Sequence, residues 1–172
     1  MRGLGKDFDV CMGINLVADL AAGANTGKRV HMRNYQTLGV VLLKNAASAG
    51  TDTVTVTLRE HNANTGGTSQ DLAKITDWYV KTANPLAGTE AWVERTQAAA
   101  ATLALTNALV PAANQAIVCF EVEADSLSDG FQWLSVDIAD PGSGGTILGG
   151  VIYIPTGLKI QRRPDLLAQP NA

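Results

Sequence analysis

Residues 53–60 read TVTVTLRE, with Val54, Val56 and Leu58 at every second position and Thr53, Thr55 and Thr57 between them. A period of two is the spacing of a β-strand, whose successive side chains point to opposite faces. Wound as a helix, the same residues would scatter their apolar groups round the whole circumference. The stretch therefore demands a sheet with a core on one side and water or another protein on the other.

Strand signals recur along the chain. YQTLGVVLLKN (35–45) is a continuous apolar, β-branched run, the pattern of a buried strand. LAKITDWYVKT (72–82) has Ile75, Trp78 and Val80 as its anchors and stops at Asn84-Pro85, since proline cannot donate to a ladder. AWVERT (91–96), AIVCFEVEA (116–124), FQWLSVDIAD (131–140) and ILGGVIYIPT (147–156) complete the set. QAAAATLALTNALVPAANQ (97–115) is rich in alanine, which favours helix. Thr102, Thr106 and Pro111 interrupt it and strands flank it, so it reads as strand plus loop. Between these lie turn clusters: AASAGTD, PGSGGT and the long polar HNANTGGTSQ (61–70), turning at Gly66-Gly67. DSLSDG reads as one helical turn capped by Asp125 or Ser126.

Seven or eight strands at intervals of roughly 8–15 residues, with no helix between them, predict an all-β antiparallel sandwich or barrel. The patterned region is 34–157. Residues 1–33 read as an irregular N-terminal arm, with INLVADLAAG as a short helix or an extended piece, and 158–172 as a C-terminal tail. Both ends carry apolar residues without periodicity, of the kind that dangle or dock on something else. Phe8, Val10 and Leu16 in the arm, and Arg162, Arg163, Asp165 and Leu166 in the tail, are the expected partner-docking residues. Arginine forks pair well with carboxylates at interfaces.

Function classes fall away in turn. The 172-residue chain carries a net charge of −3 and only 17% charged residues. The short basic pairs Lys28-Arg29 and Arg162-Arg163 do not make the patch that phosphates require, so no nucleic acid is expected. No run approaches the 18 or so apolar residues of a membrane span. The first sixteen residues place charges where a signal peptide is apolar, so use without secretion is expected. Cys11 and Cys119 are expected as reduced, buried thiols, Cys119 in the core.

Catalytic and metal motifs fail on spacing. GANTGKR (23–29) has three residues between its glycines where a phosphate-binding loop needs four, and Arg29 where that loop needs a hydroxyl. His31 and His61 are the only histidines and have no cysteine nearby, so no metal site is expected. His61, in REH, reads as an exposed strand end. Ser135 and Asp137 share a strand face with no histidine near in sequence, and read as a solvent-facing row. Glu121 and Glu123 read as the wet side of a sheet. Trp78, Tyr79, Trp92 and Trp133 read as core before any sugar-binding platform. No enzyme activity and no cofactor are expected.

The order YQTLGVVLLKN…TVTVTLRE…DWYVKT, then CFEVEADSLSDGFQWLSVDIAD, then RRPDLLAQPNA, resembles head-decoration (cement) proteins of tailed bacteriophages. Its most telling parts are Glu123-x-Asp125-x-Leu127 with the following Gly130-Phe131, and Pro164-Asp165-Leu166-Leu167. The resemblance runs from about Tyr35 to the C-terminus. It implies a β-sandwich, with a jelly roll as one form, on the outside of a virion capsid. It further implies a homotrimer that ties neighbouring major capsid protein subunits together. The expected alternatives are another virion part (tail tube, head–tail joint or fibre base) and a carbohydrate- or receptor-binding β-module.

Overall fold

A computed structural model describes residues 7–51, 53–142 and 145–159. Two antiparallel sheets pack face to face. Their strands are β1 (Cys11–Asp19), β2 (Val30–His31), β3 (Thr37–Lys44), β4 (Val54–His61), β5 (Ser69–Asp71), β6 (Ile75–Ala83), β7 (Val93–Ala100), β8 (Thr102–Leu105), β9 (Gln115–Glu123), β10 (Trp133–Ile138) and β11 (Leu148–Thr156). The first sheet runs β1-β11-β3-β9-β6-β7; the second runs β2-β10-β4-β5, with β8 also on β4. The expected all-β antiparallel sandwich is what forms.

Alternation builds the core. Val54, Val56 and Leu58 of β4 and Leu38, Val40 and Leu42 of β3 belong to one core cluster, and all are buried. Val118, Phe120 and Val122 of β9, Trp78 and Val80 of β6, and Leu134, Val136 and Ile138 of β10 fill the space between. Each such side chain is worth about 1.5–3 kcal/mol when taken out of water. The alanine-rich segment is strand plus loop, as its interruptions required: β7, then β8, then the turns to Gln115.

Two expectations are corrected. Residues 11–19, expected inside an irregular arm, form β1 on β11, and Ile14, Leu20, Val30 and Met32 belong to the core. The ladder shifts register between Met12 and Ile14 and again between Ile14 and Ala18; these bulges remove the period-two signal from the sequence. The single 3-10 turn at Ala124–Ser126 is present, but its N-cap is Glu123 and it has no side-chain cap bond.

One residue ties the sheets together. Tyr153 of β11 is fully buried, and its hydroxyl accepts a 2.8 Å hydrogen bond from the Val136 N–H of β10. β2 pairs with β10 only at Trp133 and Leu134, so the ladder has ended before Val136. The chain passes this point at Gly13 and Gly27, where a Cβ would run into the Tyr153 ring and the Val136 carbonyl oxygen respectively. Glycine is the residue that permits so close an approach.

Candidate interaction face

The six-stranded sheet carries apolar side chains on its outer side as well as towards the core. Because β3 alternates, Leu38, Val40 and Leu42 point inward while Thr37, Gly39, Val41 and Leu43 point outward. Register then aligns outward residues across five strands in one row: Met12 opposite Ile152, Ile152 opposite Val41, Val41 opposite Cys119, and Cys119 opposite Tyr79. At about 4.8 Å per strand the row is about 19 Å long. The next row is Gly150, Leu43, Ile117 and Lys81. Beside it a groove of about 290 Å³ is lined by Leu16, Leu43, Leu86, Ile117 and Leu148, with Asn45 and Gln115 at its polar edge. Met12, Leu16, Tyr79 and Leu148 are each about 40% exposed.

The face is not uniform. On the side of the row away from the groove, the residues opposite Gly39 and Thr37 are Glu121 and Glu123, both exposed. Tyr79 Oη donates to Glu94 at 3.4 Å. Carboxylates surround that phenol: Glu94 foremost, with Asp77 and Glu121, holds it above its ordinary range. Lys81 lies 4.9 Å from the centroid of the Trp92 ring.

This chain matches no family model, no curated protein and no solved structure.

Of the docking residues expected from the sequence, Leu16 lines the groove and Val10, just before β1, is 56% exposed. Phe8 is half-buried and bridges to Thr156. Arg162, Arg163, Asp165 and Leu166 lie outside the described residues. The outward members Val41, Leu43, Ile117 and Ile152 were missed. Their signal was legible: LGVVLL and AIVCF are continuous apolar runs, the signature of a strand covered on both faces. Cys119, expected in the core between the sheets, stands on this outer face instead, half-buried between Val41 and Tyr79. Burial, with help from Glu121, pushes its thiol up to about 11, and burial with Asp9 pushes Cys11 up to about 12. Tyr79 and Trp92, expected as core, are 42% and 47% exposed, whereas Trp78 is core as expected.

The second sheet presents a polar outer face instead. His61 and Ser135, expected at the surface, are 3% and 1% exposed. β10 brings Ser135 Oγ to 2.8 Å from His61 Nε2, and β5 brings Ser69 Oγ to 2.6 Å from Nδ1. Arg29 closes the arrangement by donating to the carbonyls of Ala63 and Gly66 and to Ser69 Oγ. That places the 61–70 loop over the histidine. Burial, then the Arg29 charge, pushes the His61 pKa down to about 4, against a smaller upward pull from Asp137.

A serine beside a neutral imidazole is the start of a nucleophile–base pair. Here the group on the far imidazole nitrogen is a second hydroxyl, and Asp137 is engaged elsewhere, accepting from the Gly27 N–H at 2.9 Å and pairing with Arg59 at 3.5 Å. With Ser135 sealed, no substrate carbonyl can approach its oxygen in this conformation. The cluster is a clamp on the 61–70 loop. The His31 ring packs tilted against Trp133, 4.4 Å between ring centroids, on the same sheet. Trp133 thus sits on the opposite sheet from Tyr79 and Trp92, so these aromatics do not form one platform. Among the described residues, no three His, Cys, Asp or Glu side chains gather as metal ligands.

Proposed function

We propose that this chain is a structural virion protein that decorates a phage capsid and joins neighbouring major capsid subunits through the outer face of its six-stranded sheet. The observation that carries this is the registered row Met12–Ile152–Val41–Cys119–Tyr79. A contiguous apolar surface of this kind on a folded domain marks an interaction site. Its extent across five strands suits a wall of other subunits better than a small molecule, which is held in a concavity. The resemblance in sequence supplies the kind of partner and a trimer at three-fold positions. The mechanism is mass action: a protein that binds the assembled, expanded shell and not free subunits stabilises that shell. Contacts to several subunits at once add through effective concentration.

The test is co-sedimentation with empty expanded heads of the phage that encodes the chain, alongside free capsid subunits. Wild-type protein is expected to pellet with the heads alone. The double variant V41E/I152E, altered only at outward positions, is expected to stay in the supernatant with an unchanged circular dichroism spectrum. Wild-type protein that fails to pellet would overturn the proposal.

A further inference from the structure

The geometry points to a partner surface of defined chemistry: an apolar centre bordered on one side by lysine or arginine side chains. This rests on the capsid-decoration proposal and deepens it. The apolar rows of the face end, on the β9–β6 side, in a carboxylate border made by Glu121, Glu123, Asp77 and Glu94. No ion pair to a cation is formed by any of these four among the described residues; the two ion pairs described, Arg59–Asp71 and Arg59–Asp137, are on the other sheet. The nearest lysine on the face, Lys81, is turned over the Trp92 ring. The side chains of Glu121 and Glu123 make no hydrogen bond within the described fold, so their charges are open to a partner.

An occupant that covered Val41, Cys119 and Tyr79 with neutral or acidic groups opposite this border would bring carboxylates out of water unpaired, at a cost. Cations there satisfy them and set the register of docking. A second copy of this chain is disfavoured by the same reasoning, because its face carries the same acidic border and the chain is net negative.

The experiment measures binding to the empty expanded heads at about 50 and about 500 mM salt. It compares wild type with E121K/E123K and with V41E/I152E, each checked for an unchanged melting temperature. The expected result is that wild-type affinity falls at least about tenfold at high salt, that E121K/E123K binds at least about tenfold more weakly at low salt and loses that salt dependence, and that V41E/I152E does not bind. If E121K/E123K binds as wild type while V41E/I152E fails, the basic border is overturned and the apolar docking face stands. If both double variants bind as wild type, the face is not the site and both proposals fall. Self-association of the free chain through this face, lost in V41E/I152E, would overturn the partner in favour of a second copy.

Discussion

His61 Nε2 and Ser135 Oγ lie 2.8 Å apart, although 74 residues separate them in sequence, and both residues are buried. Removing the serine hydroxyl leaves a buried imidazole nitrogen without its partner. S135A is therefore expected to lower unfolding stability by about 1–3 kcal/mol, read from the urea midpoint at unchanged slope. In the native protein a fluorophosphonate probe is expected to leave Ser135 unlabelled, because the oxygen is covered. Rapid labelling would contradict its role as a clamp.

The same histidine makes stability depend on pH. Its folded pKa of about 4 lies below the ordinary 6.5. Between those values the unfolded chain takes up a proton that the folded chain refuses, so stability falls as pH drops through 6.5 towards 4. The loss saturates below about 4. Allowing for screening by nearby solvent, it amounts to about 2 kcal/mol. H61Q is expected to flatten the stability profile over that window. An unchanged profile in H61Q would place the titration elsewhere.

Tyr153 and Gly27 meet at one point of the core. Y153F removes the acceptor of the Val136 N–H while keeping the ring, and is expected to cost about 1–3 kcal/mol. G27A is expected to cost more, because its methyl would meet a backbone carbonyl that cannot swing aside. Thermal melts of both variants check the order; a G27A protein as stable as wild type would show that the strands separate freely there.

Lys44 is 4% exposed, and its ammonium donates to the carbonyls of Asn45, Ala112 and Asn114 at 3.2, 3.0 and 2.8 Å. Burial pushes its pKa down, yet the bonds to Ala112 and Asn114 hold the 107–114 loop against the end of β3. K44M keeps the stem and deletes the donors. It is expected to destabilise by at least about 2 kcal/mol and to speed proteolysis in that loop. A K44M protein with wild-type stability would mean the carbonyls are satisfied by water.

Much of this architecture was legible from residue order. TVTVTLRE had to be a half-buried strand, and Trp78 and Val80 had to share a face, because a period of two leaves side chains no other arrangement; Ile75, three residues before Trp78, joins them only where β6 shifts register between Ile75 and Asp77. β1 escaped notice because two register shifts erase its alternation. The docking residues named at the ends were chosen for lacking a pattern, whereas the face itself lies in the most regular strands. Glu60 shows the limit from another side. The alternation that sends Leu58 inward also buries this carboxylate completely. Burial pushes its pKa up, but hydrogen bonds from Ser128 and Gln70 outweigh that and hold it below the ordinary range. Those partners come from a loop 68 residues away and from a neighbouring strand, and nothing local announces them.

Residue order by itself determined that the chain is a stack of strands and, where alternation is clean as in β4, which apolar side chains face the core, since those follow from the two-residue repeat of an extended backbone. Which strands lie side by side was decided only by the fold. Pairing across distant segments turned Val41, Cys119 and Ile152 into one surface, and drew His61, Ser69 and Ser135 into one buried cluster. Such neighbours are set by register between strands, a property that no single strand contains.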